Sequence, residues 1–124
     1  MTEPRPRLLI VDDNDDERQM LCAALGACFE VVEAADGMDA YALACADRPA
    51  AIVLDIAMPI LDGWEVLRKL RSNAATKSIP VVVFTALERD AVRRTADAFG
   101  VTAIVRKPIA PAQLAVIIRR AIHQ

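Results

Sequence analysis

Asp12, Asp13, Asp55, Thr85 and Lys107 are the residues of this chain best placed to do chemistry, because each stands at the end of an apolar run. The runs read LLIVDD, AIVLD, VVVFT and AIVRKP, and they close on acids, a hydroxyl and a cation. Carboxylates brought to about 4 Å of one another repel by ~4 kcal/mol at an effective dielectric of 20, so grouped acids call for a cation. Hard oxygen donors with room for waters suit Mg²⁺. An ionised Asp55 at such a place can act as a nucleophile on phosphorus and form an acyl phosphate. That transfer needs little beyond positioning and charge neutralisation. Lys107 offers a compact ammonium for one phosphoryl oxygen, and Thr85 a hydroxyl donor for another. Singly, these residues have plainer readings: Thr85 as a strand-end hydroxyl, Lys107 as a surface cation, Asp55 as a cap. Their joint placement carries the functional one.

The elements that must position them are set by periodicity. Strands are predicted near 7–12, 30–34, 51–55, 80–85 and 101–106, and helices over 15–28, 38–47, 64–72, 88–99 and 111–123. The fourth helix, for example, sets Val92, Ala96 and Phe99 against Arg89, Arg93 and Arg94. Five alternations of short apolar strand and helix imply an α/β fold, a doubly wound parallel five-stranded sheet covered by helices on both faces. In such a sheet the carboxyl ends of the strands share one edge, and ligands bind in the crevice there. Gly37, Asp62-Gly63 and Gly100 punctuate the connections, and Pro111 suits the first turn of the last helix. Met58-Pro59 is expected to shape the loop after Asp55, and Lys107-Pro108 is a candidate cis peptide that would aim the lysine.

Charge and composition narrow the classes. The first loop, DDNDDE, carries four aspartates and a glutamate, which would repel the phosphates of a flavin or nucleotide. Asp15 and Asp16 are explained as helix N-terminal charges meeting the macrodipole. The chain has 124 residues, 55% of them hydrophobic, enough for one domain with one core. A formal charge of −2 offers no basic footprint for nucleic acid. Cys22, Cys28 and Cys45 lack metal-ligand spacing and read as small core residues of helices in a reducing cytoplasm. No apolar run approaches the ~18 residues of a membrane span. His123 at a helix C-terminus reads as a dipole charge, and Trp64 as packing.

VDD at 11–13, DIAMPILDG at 55–63, FTA at 84–86 and KP at 107–108 resemble the response-regulator receiver domain of two-component signalling, over essentially the whole chain. The resemblance implies a flavodoxin-like (βα)5 sheet of order 2-1-3-4-5. It makes Asp55 the phosphoacceptor, Asp13 and Asp55 direct Mg²⁺ ligands with Asp12 acting mainly through water, and the backbone carbonyl of Ala57 a further ligand. Thr85 and Lys107 would hold the phosphoryl oxygens. The implied donor is a histidine kinase or histidine phosphotransfer protein, with small acyl phosphates as substitutes, and the protein is a phosphoacceptor rather than an enzyme.

Departures from the family pattern bear on the events after phosphorylation. Ile104 stands where the family usually has Tyr or Phe, so coupling from Thr85 to the last helices is either lost or uses repacking instead. Ala57 and Leu87 carry no polar group to orient an attacking water, so fast built-in hydrolysis is not expected. A Mg²⁺-dependent phosphohydrolase would need an acid where Ala57 stands. A phosphate-independent scaffold would normally have lost an acid, the threonine or the lysine. The chain ends at Gln124 after the fifth helix, and the expectation is a receiver over 1–124 without an output domain, either a stand-alone regulator that works by binding a partner, which the Met1 start favours, or a receiver cut from a longer protein. In PAQLAVIIRRAIHQ a core stripe of Leu114, Ile117 and Ala121 leaves Val116, Ile118 and Ile122 apolar as well. That suggests a downstream protein or a self-dimer contact on the face of the fourth helix, fifth strand and fifth helix, the plainer reading being apolar residues tolerated at the surface.

Overall fold

Alternating side chains along each strand sort the apolar residues into two layers, one on each side of a sheet. A computed structural model of the chain describes residues 5–56 and 63–123. Among them β1 (Arg7–Val11), β2 (Glu30–Ala34), β3 (Ala51–Leu54), β4 (Val81–Thr85) and β5 (Ala103–Arg106) alternate with α1 (Asp15–Leu25), α2 (Gly37–Asp47), α3 (Gly63–Ser72), α4 (Arg89–Ala98) and α5 (Pro111–Ile122). The strands form one parallel sheet in the order β2-β1-β3-β4-β5, the flavodoxin-like arrangement expected. Leu9, Val11, Ile52, Leu54, Val81 and Val83 pack with α2, α3 and Val92 of α4. Leu8, Ile10, Val53, Val82, Phe84 and Val105 pack with α1 and α5. The central strands β1, β3 and β4 are therefore apolar on both faces, as a parallel sheet requires.

Local chemistry sets the element ends. Asn14 caps α1 by accepting the Glu17 N–H at 2.9 Å, and Asp36 caps α2 by accepting that of Asp39 at 2.8 Å. Helix α1 stops at Leu25 with Gly26 as its C-cap, short of the predicted residue 28. Cys28 therefore lies in the turn before β2, not in a helix. The three cysteines are free and half-buried rather than core residues, with Cys22 and Cys28 leaning on the α1/α5 layer. Strand β5 begins at Ala103, not 101, because Gly100 turns the chain with φ of 65°, although Thr102 N–H already donates to Val81 O of β4 at 2.9 Å. Pro111 opens α5.

Helix α5 is rotated relative to the predicted stripe. Its buried residues are Leu114, Ala115, Ile118 and Ala121, with Ile118 fully buried. Ile117 and Ile122 are half-buried against the same layer, and Val116 is exposed. Most of the surplus apolar surface that suggested a partner face is thus consumed within the fold. Ile104 is half-buried against the α2/α3/α4 layer, and Trp64 packs there too, stacked on Phe99 with centroids 6.2 Å apart.

One close approach matters for the edge where β3 ends. Gly63 N–H donates to Ile56 O at 3.1 Å, and a Cβ on Gly63 would come within 2.3 Å of Ile56 Cα. Glycine lets the start of α3 touch the backbone that follows Asp55. Among the described residues no helix is long and apolar enough to cross a membrane.

Candidate functional site

The backbone ladder runs one bond past the strands at the carboxyl edge of the sheet. Asp12 N–H donates to Ala34 O at 3.2 Å and Asp55 N–H to Val11 O at 3.0 Å, so both acids are placed by main-chain bonds to a neighbouring strand. Their side chains are buried, while Asp13 is exposed. One carboxylate oxygen from each of Asp12, Asp13 and Asp55 can lie within 4.8 Å of the others. Three hard oxygen donors at that spacing, one open to solvent, fit a small divalent cation that keeps part of its water shell. Ala57 and Met58-Pro59, with the rest of 57–62, lie outside the described residues.

Lys107 comes to the same place from the end of β5. Its N–H donates to Thr85 O at 2.8 Å, and the Lys107-Pro108 peptide is cis, as anticipated. The ammonium stands 3.2 Å from Asp55 Oδ2, 3.4 Å from Asp12 Oδ2 and 2.7 Å from Glu17 Oε1, with the Phe84 ring centroid 5.2 Å away. Burial alone would lower the lysine's pKa, but Glu17, Asp55 and Asp12 outweigh it and hold it above its ordinary value. For Asp12 burial wins and pushes the carboxyl up, against the opposing pull of the Asn14 N–H and Lys107. Thr85 is fully buried at the end of β4, beside β3, and its hydroxyl accepts the Leu87 N–H at 3.2 Å, which leaves its own proton to donate.

Of the predicted residues, then, Asp12 and Asp55 meet Lys107 directly, Asp13 brings a carboxylate oxygen within 4.8 Å of theirs, and Thr85 shares their edge with its hydroxyl bonded to Leu87. Two more residues belong to the site and were not anticipated. Glu17 makes the shortest contact with Lys107. Arg18 donates from Nη1 to Asp12 O at 2.8 Å while held by Asp15 at 2.6 Å and Glu33 at 3.0 Å. Asp15 is therefore a partner of Arg18 as well as a helix N-terminal charge. Acids four to six residues past a strand, followed by an arginine, read equally well as the solvated first turn of a helix. No spacing rule joins Glu17 to a lysine so far along the chain.

The family model described as response regulator receiver domain matches residues 8–119. Response regulator PleD of Caulobacter vibrioides is 41% identical over 104 residues, 83% of this chain and 23% of PleD. Protein PilH of Pseudomonas aeruginosa is 34% identical over 104 residues, 83% of this chain and 86% of PilH. The chain spans less than half the length of several relatives, 46% for response regulator MprA of Mycobacterium ulcerans. Among solved structures, chemotaxis protein CheY4 of Vibrio cholerae superposes with a TM-score of 0.89 at 31% identity, covering 94% of this chain and 98% of that one. The receiver domain of a sensor histidine kinase of Pseudomonas aeruginosa PAO1, solved with magnesium coordinated in its active-site cleft, gives 0.88 at 28% identity, covering 97% and 99%.

Proposed function

The chain belongs to the response regulator receiver family, and on that premise we propose that it accepts a phosphoryl group on Asp55 from a histidine kinase or histidine phosphotransfer protein in the cytoplasm, and binds a partner protein differently as a result. The observation that carries this reading is the grouping of Asp12, Asp13 and Asp55 within 4.8 Å, with Lys107 Nζ 3.2 Å from Asp55 Oδ2. An Asp55 oxygen bonds to phosphorus as the bond from phosphorus to the donor's imidazole nitrogen breaks, and the electron pair leaves with the imidazole. Asp13 and Asp55 would hold Mg²⁺ directly, Asp12 mainly through water, with the Ala57 carbonyl as a further ligand. When bound, that ion supplies positive charge against the phosphoryl oxygens. Lys107 takes one of those oxygens and Thr85 donates its hydroxyl proton to another.

Movement of Thr85 toward the phosphoryl group leaves space that the half-buried Ile104 repacks to fill, which alters the α4, β5 and α5 face. A downstream protein, or a second copy of the chain, then reads that face. Its outward features are the exposed Arg89, Arg93 and Arg94 of α4 and Val116 of α5. Leu87 offers no polar group to direct water at the acyl phosphate, so the phosphorylated form should decay slowly. The test is intact mass after incubation with acetyl phosphate and Mg²⁺. One phosphoryl adduct, absent with a chelator and in Asp55→Asn, supports the reading. An adduct that survives Asp55→Asn, or none at all, refutes it.

A further inference from the structure

Glu17 Oε1 lies 2.7 Å from Lys107 Nζ, closer than either acid of the sheet edge at 3.2 and 3.4 Å. An ammonium has three protons to donate, and three carboxylates face this one. Glu17 is available for the contact because its ordinary destination is occupied. Asn14 and Glu17 stand at the N-cap and N3 positions of α1, where a glutamate side chain commonly reaches back to the N–H of the capping residue. Half of that box forms, with Glu17 N–H donating to Asn14 Oδ1 at 2.9 Å. Asn14 N–H, however, donates to Asp12 Oδ1, also at 2.9 Å. Glu17 is turned instead toward Lys107, beside a hollow of about 180 Å³ whose other walls include Leu21, Phe84, Pro108 and Ile109. Lys107 is the single cation among the residues lining that hollow.

From this arrangement we infer that Glu17 is the resting counter-ion of Lys107, and that an incoming phosphoryl group must displace it. The inference rests on Asp55 being the phosphoacceptor. A phosphoryl oxygen needs one of the three ammonium protons. The Asp55 contact belongs to the acceptor itself, and Asp12 is buried and tied to Asn14. Glu17, with a third of its side chain exposed, is the partner able to leave. Its charge also repels an approaching dianion. Glu17 thus acts as a positioning residue that keeps Lys107 saturated at rest and slows phosphorylation.

The experiment compares wild type, Glu17→Gln and Glu17→Ala in the rate of Asp55 phosphorylation by acetyl phosphate at saturating Mg²⁺, at low and high salt. Both variants should react faster, on the order of five-fold at low salt, as expected for removing one unit charge a few ångströms from the donor in a site open to water. The difference should shrink at high ionic strength, which a merely structural effect would not do. Without any phosphodonor, Mg²⁺ titrated calorimetrically should bind Glu17→Gln about two-fold or more weakly, because the site has lost a negative charge and Lys107 then leans wholly on Asp12 and Asp55. Equal or slower phosphorylation of both variants, with wild type reacting normally, overturns the inference alone. A wild-type chain that binds Mg²⁺ yet takes up no phosphoryl group removes the phosphoacceptor reading and this inference together.

Discussion

Lys107 at the carboxyl edge of the sheet and Arg71 at the amino edge are both cations drawn partly out of water, yet their partners differ in kind. Lys107 is surrounded by the carboxylates of Asp12, Asp55 and Glu17. Arg71, in the last turn of α3, donates to main-chain carbonyls and, among the described residues, pairs with no carboxylate. Its Nε donates to Phe99 O at 2.8 Å, Nη1 to Lys77 O at 3.1 Å and Ile79 O at 3.0 Å, and Nη2 to Gly100 O at 3.3 Å. Burial lowers the pKa of Arg71, whereas the surrounding acids leave that of Lys107 raised. A carboxylate on a side chain can swing away and be exchanged for a phosphoryl oxygen. Carbonyls belonging to the approach to β4 and to the α4–β5 turn cannot move without moving the fold. The rigid planar fork of arginine suits the second task and the compact ammonium of lysine the first.

The sharpest way to break this contrast is to remove each cation. Lys107→Ala should cost at least about 100-fold in the rate of Asp55 phosphorylation, the usual scale for deleting one charged group aimed at a transferring phosphoryl. Radiolabel or intact-mass time courses with acetyl phosphate would show it. Arg71→Ala should instead destabilise the chain by about 1–3 kcal/mol, since it orphans several carbonyls, and should leave the phosphorylation rate of the folded protein within roughly two-fold. Urea denaturation measures the first and the same time courses the second; a stability loss that Arg71→Lys fully restores would contradict the role given to the fork.

Smaller effects refine the picture of the carboxyl edge. Gly63→Ala must push apart α3 and the Ile56 backbone, where a Cβ would sit 2.3 Å from Cα. A loss of roughly 1–3 kcal/mol is expected from such overpacking. Because Ile56 is the residue after Asp55, phosphorylation should slow as well, unlike in Arg71→Ala. Mg²⁺ at ten times its dissociation constant should stabilise wild type by about 1.4 kcal/mol, and Asp13→Asn should lose most of that gain in a thermal melt.

The two edges were unequally legible in the sequence. Asp12, Asp13, Asp55, Thr85 and Lys107 could be picked out because each interrupts an apolar strand, and a parallel sheet brings strand ends together. Arg71 could not, because a basic residue in the last turn of a helix already has a local explanation in the macrodipole. Glu17 was hidden in the same way, by an acid-rich first turn and by the cap spacing with Asn14. The rotation of α5 is hidden in the sequence for another reason. Its Val116, Ile117, Ile118 and Ile122 are all apolar, so spacing alone does not say whether Ile117 or Ile118 faces the sheet. Strand ends shifted by one or two residues because the ladder bond of Asp12 outlasts β1, while Gly100 delays β5.

A crystal structure of the chain with Mg²⁺ and beryllofluoride would address the exchangeable role of Lys107 most directly. Beryllium should be attached to an Asp55 carboxylate oxygen, with Lys107 Nζ within hydrogen-bond distance of a fluorine and no longer in contact with Glu17 Oε1. Lys107 still paired with Glu17, and making no contact with the fluorines, would contradict that role.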